Sequence, residues 1–183
     1  NSCGIGPWAA TSAFRTGPLV CNTYVSTDVP KAIPDNTTVN SIVTIPDAFT
    51  ITDVNVYLDQ LTHTFDGDLL ISILHPDTTA VVLSNSRGGS GDNFTNTIFN
   101  QEAATPIASG VAPFTGSFIP DGNLASLYGK TSSGTWTLRV ADQASLDTGT
   151  LQAWRLNICG TTMATSADYS DLASGYGIAW HTG

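Results

Sequence analysis

From Asn40 onward the chain is cut into short runs of Val, Ile, Leu and Thr, separated at regular intervals by Asp, Asn, Gly and Pro. Runs this short cannot make the several turns of an amphipathic helix. Punctuation this regular is the signature of a sandwich or barrel of many strands. Candidate strands fall at residues 41–45, 51–58, 69–74, 80–84, 97–99, 114–118, 135–141 and 151–158. Val54, Val56 and Leu58 alternate with Asp53, Asn55 and Tyr57, and Trp136, Leu138 and Val140 alternate with Thr137 and Arg139, so each of these strands buries one face. The run Leu69-Leu70-Ile71-Ser72-Ile73-Leu74 is apolar on nearly both faces, which predicts a central strand covered on two sides. Composition agrees: only 11% of residues are charged, and Thr, Ser, Gly and Asn supply most of the polarity.

The connections carry turn chemistry: His75-Pro76-Asp77, the glycine-rich Gly88-Gly89-Ser90-Gly91-Asp92-Asn93, Pro120-Asp121-Gly122-Asn123 and Asp147-Thr148-Gly149. About eight strands with some long connections predict an all-β fold, an antiparallel β-sandwich of jelly-roll type. A chain of 183 residues supports one sizeable core. We expect an N-terminal arm over 1–29 with one short strand, a domain over 30–160, and a tail or the start of a following module over 161–183. The start at Asn1, without Met or a leader, reads as a processed or excised piece.

Charge excludes some partners. Six Lys and Arg against 15 Asp and Glu give a formal net charge of -9, which repels nucleic acid and anionic membrane surfaces. No apolar stretch is long enough to span a bilayer. Cys3, Cys21 and Cys159 match no zinc spacing; one disulfide with one cysteine left over, or three buried thiols, satisfies the count. Asn36-Thr37-Thr38 and Asn93-Phe94-Thr95 are N-glycosylation triplets.

Three motifs in order then resemble a known module. They are Thr62-His63-Thr64 followed by Gly67-Asp68-Leu69-Leu70-Ile71-Ser72-Ile73-Leu74-His75-Pro76; Ser133-Gly134-Thr135-Trp136-Thr137-Leu138-Arg139-Val140-Ala141-Asp142; and Asp147-Thr148-Gly149-Thr150-Leu151-Gln152-Ala153-Trp154-Arg155-Leu156. Together they resemble the P-domain of proprotein convertases, over about residues 30–160. The resemblance implies a jelly-roll sandwich with no catalytic centre of its own. It also implies calcium binding and a role in the folding, stability or target binding of an attached protease or surface protein, exported to the medium or cell surface. Gly91-Asp92-Asn93-Phe94-Thr95-Asn96-Thr97 and the segment 112–120 resemble the middle insertion of the bacterial secreted form. Leu127-Tyr128-Gly129-Lys130 stands where the convertase form has a Trp-Gly-Glu turn, which speaks against a role in activating a kexin-like protease. In the tail, Asp168-Tyr169-Ser170-Asp171 resembles the lead-in to GEVED-type modules of bacterial surface proteins; a tail packing Tyr169, Tyr176 and Trp180 on the sandwich is the alternative.

The residues themselves offer no hydrolytic centre. A triad needs Ser or Cys beside a base that a third group orients, and His63, His75 and His181 are the only imidazoles. Gly88-Gly89-Ser90-Gly91-Asp92 lacks the closing glycine of a nucleophile elbow. His63 is expected to bond locally at a strand end and His75 to sit in a turn. A hard cation is the better-supported chemistry, because Ca2+ takes six to eight oxygens from carboxylates, amides and carbonyls on loops. Candidate metal ligands are Asp66 and Asp68 flanking Gly67, Asp92 and Asn93 closing the glycine-rich loop, and Asp142 and Asp147 bracketing the last hairpin. The competing reading is that these residues cap turns, with Asp68 burying its carboxylate to fix the adjoining loop.

Trp136 and Trp154 are expected in the core, Trp8 and Trp180 in the terminal segments. A Cys21–Cys159 bond would tie the chain ends together and leave Cys3 free or available to another molecule. The expected partner is a neighbouring domain of the same polypeptide. The alternative is a structural or adhesive unit that self-associates into a surface layer or filament.

Overall fold

Residues 17–162 are described by the computed structural model, and ten strands run through them. These are β1 (Leu19–Val25), β2 (Lys31–Ile33), β3 (Thr38–Ile45), β4 (Thr50–His63), β5 (Leu69–Leu74), β6 (Ala80–Asn85), β7 (Phe94–Phe99), β8 (Phe114–Phe118), β9 (Gly134–Asp142) and β10 (Gly149–Thr161). One sheet has the order β1-β10-β4-β7-β8, with β2 also paired to β10; the other has the order β3-β9-β5-β6. Buried side chains from both sheets form a single core. The all-β sandwich is therefore as expected, with ten strands rather than about eight and no α-helix among the described residues.

The two additional strands lie end to end along one edge of β10, β1 against residues 155–161 and β2 against 149–151. β1 falls in the segment read as an arm. Its side chains are mostly exposed, so it shows no apolar alternation, and β2 is too short to display any. The sandwich is also not wholly antiparallel. β7 and β8 pair in parallel, which the long connection over 100–113 permits.

β4 extends five residues beyond the expected strand. Its inward set is Ile51, Val54, Val56, Leu58, Leu61 and His63, so the two-residue period slips twice, between Ile51 and Val54 and between Leu58 and Leu61. Pairing with β10 shifts register opposite both slips, between Cys159 and Gly160 and around Ala153. These bulges keep both ends of a long strand facing the core while it twists. The polar pair Asp59-Gln60 occupies the second slip, which is why the strand seems to stop at Leu58 in the sequence.

Trp136 and Trp154 are fully buried, one from each sheet. The Trp154 indole N–H donates across the sandwich to Ser41 Oγ at 2.7 Å, and Ser41 in turn donates to the Asp28 carboxylate. Burial pushes Asp28 up, but hydrogen bonds from Ser41, Lys31, Ser26 and the Ile42 amide outweigh it and hold the carboxyl at about 2. Ser41→Ala strands a buried indole donor, and we expect it to cost about 1–3 kcal/mol, read from the urea midpoint.

Cys21 and Cys159 face each other in the β1–β10 register and are bonded. The expectations for Cys3, Trp8, Trp180 and the GEVED-like lead-in concern segments outside the described residues. No helix among the described residues is long and apolar enough to cross a membrane.

Candidate functional site

Three connections meet at one end of the sandwich: the link from β4 to β5, the glycine-rich loop over 86–93, and the loop over 143–148. Backbone bonds join them. The Asp66 and Gly67 amides donate to the carbonyls of Gly91 and Gly89 at 2.8 and 2.9 Å, and the Gln143 amide donates to the Asp68 carbonyl at 2.9 Å. Gly88 has φ +94, and a Cβ there would stand 2.8 Å from the Phe114 ring and 3.0 Å from Asp66 Cβ, so the loop closes over Asp66 only with glycine at this position.

Asp66 is the buried acid of the pair around Gly67. Its side chain is 0% exposed; Oδ1 accepts the Asn93 amide at 2.9 Å and Oδ2 has no partner. Burial pushes its carboxyl up to about 7, the Asn93 amide pulls against this, and the neighbouring Asp92 charge adds to it. Asp68, for which burial was the competing reading, is only half-buried. The carboxyl of Asp68 is nevertheless raised, first by desolvation and then by the charges of Asp142 and Asp147. The two residues have exchanged roles because the short 3-10 turn Asp66–Asp68 points its first side chain inward.

The six candidate ligands sort into two groups. Asp66, Asp92 and Asn93 line the glycine-rich loop; Asp68, Asp142 and Asp147 surround the last hairpin. Asp142 is fully buried with both oxygens occupied, Oδ2 3.3 Å from His63 Nε2 and Oδ1 accepting the Ala144 amide at 3.2 Å. Asn93 Oδ1 accepts the His63 amide at 3.1 Å, and Asp147 Oδ1 accepts the Thr64 hydroxyl at 2.7 Å. Among the described residues no three His, Cys, Asp or Glu side chains come together closely enough to hold a metal ion. A hard cation would have to combine carboxylate oxygens with backbone carbonyls of the loops. The buried, unpaired Asp66 Oδ2, with the Asp92 charge close enough to act on it, suits that donor set.

Sequence reasoning placed His63 at a strand end with a local bond, and it does close β4 with Nδ1 against the Phe65 carbonyl; what it missed is the burial and the Asp142 partner. The structure makes it a fully buried residue joining β4 to β9 through Asp142, with Nδ1 2.9 Å from the Phe65 carbonyl. The inward alternation through Leu61 to His63 is the signal that locates it. His75 bonds the Thr131 carbonyl through Nε2 at 2.9 Å and accepts the Asp77 amide at Nδ1. Among the described residues neither imidazole is bonded to a serine, threonine or cysteine side chain.

Leu146, in the third loop, is 93% exposed with φ +93. Leu146→Gly relieves that backbone at no packing cost, and we expect it to raise stability by about 0.5–1 kcal/mol in the same denaturation assay.

The proprotein convertase P-domain family model matches residues 51–158. The chain belongs to this family. Two curated relatives share the P-domain stretch. Leupeptin-inactivating enzyme 1 of Streptomyces exfoliatus is 30% identical over 125 residues, 68% of this chain and 22% of that protein. A calcium-dependent protease of Trichormus variabilis is 32% identical over 111 residues, 59% of this chain and 14% of that protein. The P-domain chain therefore spans less than a quarter of either relative. Among solved structures, the serine protease of Aeromonas sobria matches 82% of this chain and 28% of its own, with a TM-score of 0.52 and 21% identity, a likeness of fold.

Proposed function

We propose that this P-domain is a non-catalytic, calcium-stabilised accessory module of an exported bacterial protein, supporting the folding, stability or target binding of an attached protease or surface domain. The observation that carries the reading is the buried Asp66 carboxylate with one unpaired oxygen beneath the glycine-rich loop. An unpaired buried carboxylate oxygen is costly, and a divalent cation removes that cost while tying the loop to the β4–β5 link. The curated relatives support the accessory role, since the matched stretch is a minor part of proteins named as an enzyme and as a protease. One of those names includes calcium dependence. Residues 30–160 form the module in this reading, with Asp66 and Asp92 as the first ligands, Asp68 and Asp147 as the further acidic rim, and Asp142 and Asn93 as internal braces. Its partner is the neighbouring domain of the same polypeptide.

Separation of stability from catalysis tests the accessory role. The purified chain is expected to give no turnover of casein or chromogenic peptides above buffer, with or without calcium. Hydrolysis that copurifies with the chain and is lost in Asp142→Asn contradicts it.

A further inference from the structure

The outer faces of the two sheets differ in charge. On the β1-β10-β4-β7-β8 sheet, Asp59 and Arg155 form an ion pair and Asp53 is partly exposed. On the β3-β9-β5-β6 sheet, Ile42, Thr137 and Leu74 stand in register as one outward row, and Asn40, Arg139 and Ser72 as the next. The only charged residues in these four strands are Arg139, which is exposed, and Asp142, whose carboxylate is buried against His63. Carboxylates border this face, and each is already bonded: Asp28 beyond β3 to the Ile42 amide and Lys31, Asp77 in the β5–β6 turn to Lys130, and Asp121 beyond β6 to Arg87.

The fold leaves two features of this face incomplete. Among the described residues Lys31, Arg87, Lys130 and Arg155 each pair with a carboxylate, whereas Arg139 reaches only the Asn40 side-chain oxygen, at 3.4 Å. And β5, apolar on both sides, is fully covered on one: Leu69, Ile71 and Ile73 are buried, while Leu70 and Leu74 are partly exposed and Ile42, in the Leu74 row, is 44% exposed. An aliphatic patch around one guanidinium is the reverse of what a net charge of -9 puts on the rest of the surface. When apolar surface covers a guanidinium, a carboxylate must come with it, and the planar fork takes that carboxylate through two parallel N–H bonds.

We propose that the outer face of the β3-β9-β5-β6 sheet docks the neighbouring domain of the same polypeptide, which covers Ile42, Leu70 and Leu74 with apolar side chains and presents an Asp or Glu carboxylate to Arg139. The proposal rests on the accessory role given above and names the surface through which it is exerted. A second copy of the chain does not complete the face. These strands offer no outward carboxylate, so two copies face to face leave both Arg139 side chains without one. Size points to a tethered partner. Four strands about 4.8 Å apart and about 20 Å long make a face of roughly 400 Å², or about 800 Å² counted over both partners. That falls within the roughly 600–1,500 Å² of interfaces between domains of one chain and below the roughly 1,200 Å² of stable complexes between free proteins. Covalent linkage makes up the difference, because a tethered partner meets the face at high effective concentration.

Hydroxyl-radical footprinting, read side chain by side chain on this chain alone and on the full polypeptide that carries it, tests this. Oxidation of Ile42, Leu70 and Leu74 is expected to be at least about fivefold slower in the full polypeptide, with Tyr57 on the opposite outer face unchanged. Arg139→Glu in the full polypeptide is expected to return those rates to near the values of the chain alone. The same substitution in the chain alone is expected to move the melting temperature by no more than about 2 °C, as for an exposed side chain, so lost protection is not lost folding. Equal oxidation of the face in the two proteins, or protection indifferent to Arg139→Glu, overturns the proposal. Protection that grows with protein concentration assigns the face to a second copy, and protection already present in the chain alone and lost on trimming it to residues 17–162 assigns it to a terminal segment; either result also overturns it. The accessory role fails on a separate reading, a full polypeptide that melts at the same temperature with and without this domain.

Discussion

Replacing Cys21 and Cys159 together by alanine is expected to lower stability by up to about 5 kcal/mol, one of the two largest effects of any change considered. The bond closes a loop of sequence separation 138, and chain-entropy loss grows with the logarithm of that length. Local structure adds to the effect. β10 is the only strand β1 pairs with, only Val20 and Tyr24 pack partly against the core, and beyond the disulfide β1 has a few side-chain bonds, such as Tyr24 to Asp47. Without the staple, the strand frays before the sandwich unfolds. The expected result is a lower urea midpoint with a steeper slope, because the unbridged unfolded chain exposes more surface, together with loss of amide protection concentrated in β1. A variant that unfolds at the parental midpoint, with β1 still protected, shows that the pairing alone holds the strand.

Stability in EDTA is expected to fall as pH rises from about 4 to about 7, and Asp66→Asn is expected to remove most of that fall, leaving the smaller part due to the raised carboxyls of Asp68 and Asp53. The sign follows from linkage. In the unfolded chain Asp66 titrates near its ordinary 3.8, and in the fold burial lifts it to about 7. Below the lower value both states carry the proton and the group is neutral toward folding. Between the two values the folded state must hold a proton that the unfolded state has released, and above the upper value it holds a buried charge at full cost. A separation of about three pH units corresponds to at most about 4 kcal/mol. Asp28 works in the opposite direction and at lower pH: its carboxyl is held at about 2, so the stability it contributes is present above 3.8 and is lost as pH falls through about 2. Stability against pH in EDTA should therefore rise from the acid side and then decline toward neutrality. A curve flat from about pH 4 to 8, the same in Asp66→Asn, contradicts the assignment of Asp66 as a desolvated acid.

The strands that pack both the core and a paired edge were legible in the sequence, because their side chains alternate. Val54, Val56, Leu58, Trp136, Leu138 and Val140 are all fully buried, as their spacing requires. β5 is an interior strand of its sheet, between β9 and β6, but the cover its apolar run implied on both faces is complete only for Leu69, Ile71 and Ile73; Leu70 and Leu74 on the other face are partly buried. What escaped was structure specified by partners rather than by pattern. β1 is held by the β10 backbone and the disulfide, which leave no period in Leu19-Val20-Cys21-Asn22-Thr23-Tyr24-Val25. The end of β4 was hidden by the slip at Asp59-Gln60, and with it the inward position of His63. At the rim, sequence spacing gathered six oxygen-bearing residues but could not tell which face inward. A single turn of 3-10 helix decides that Asp66 is buried and Asp68 half-exposed, and the meeting of β4 and β9 decides that Asp142 is committed to His63.

The most direct test of the account is the melting temperature of the chain at about pH 8, in EDTA and in millimolar calcium. At about 100-fold excess over the dissociation constant, a cation that binds only the folded state adds about 2.7 kcal/mol, a rise of roughly 5–10 °C for a domain of this size. The account predicts that rise in the unaltered chain and little of it in Asp66→Asn. The same melting temperature in both buffers, in a chain whose folded state is otherwise intact, contradicts it.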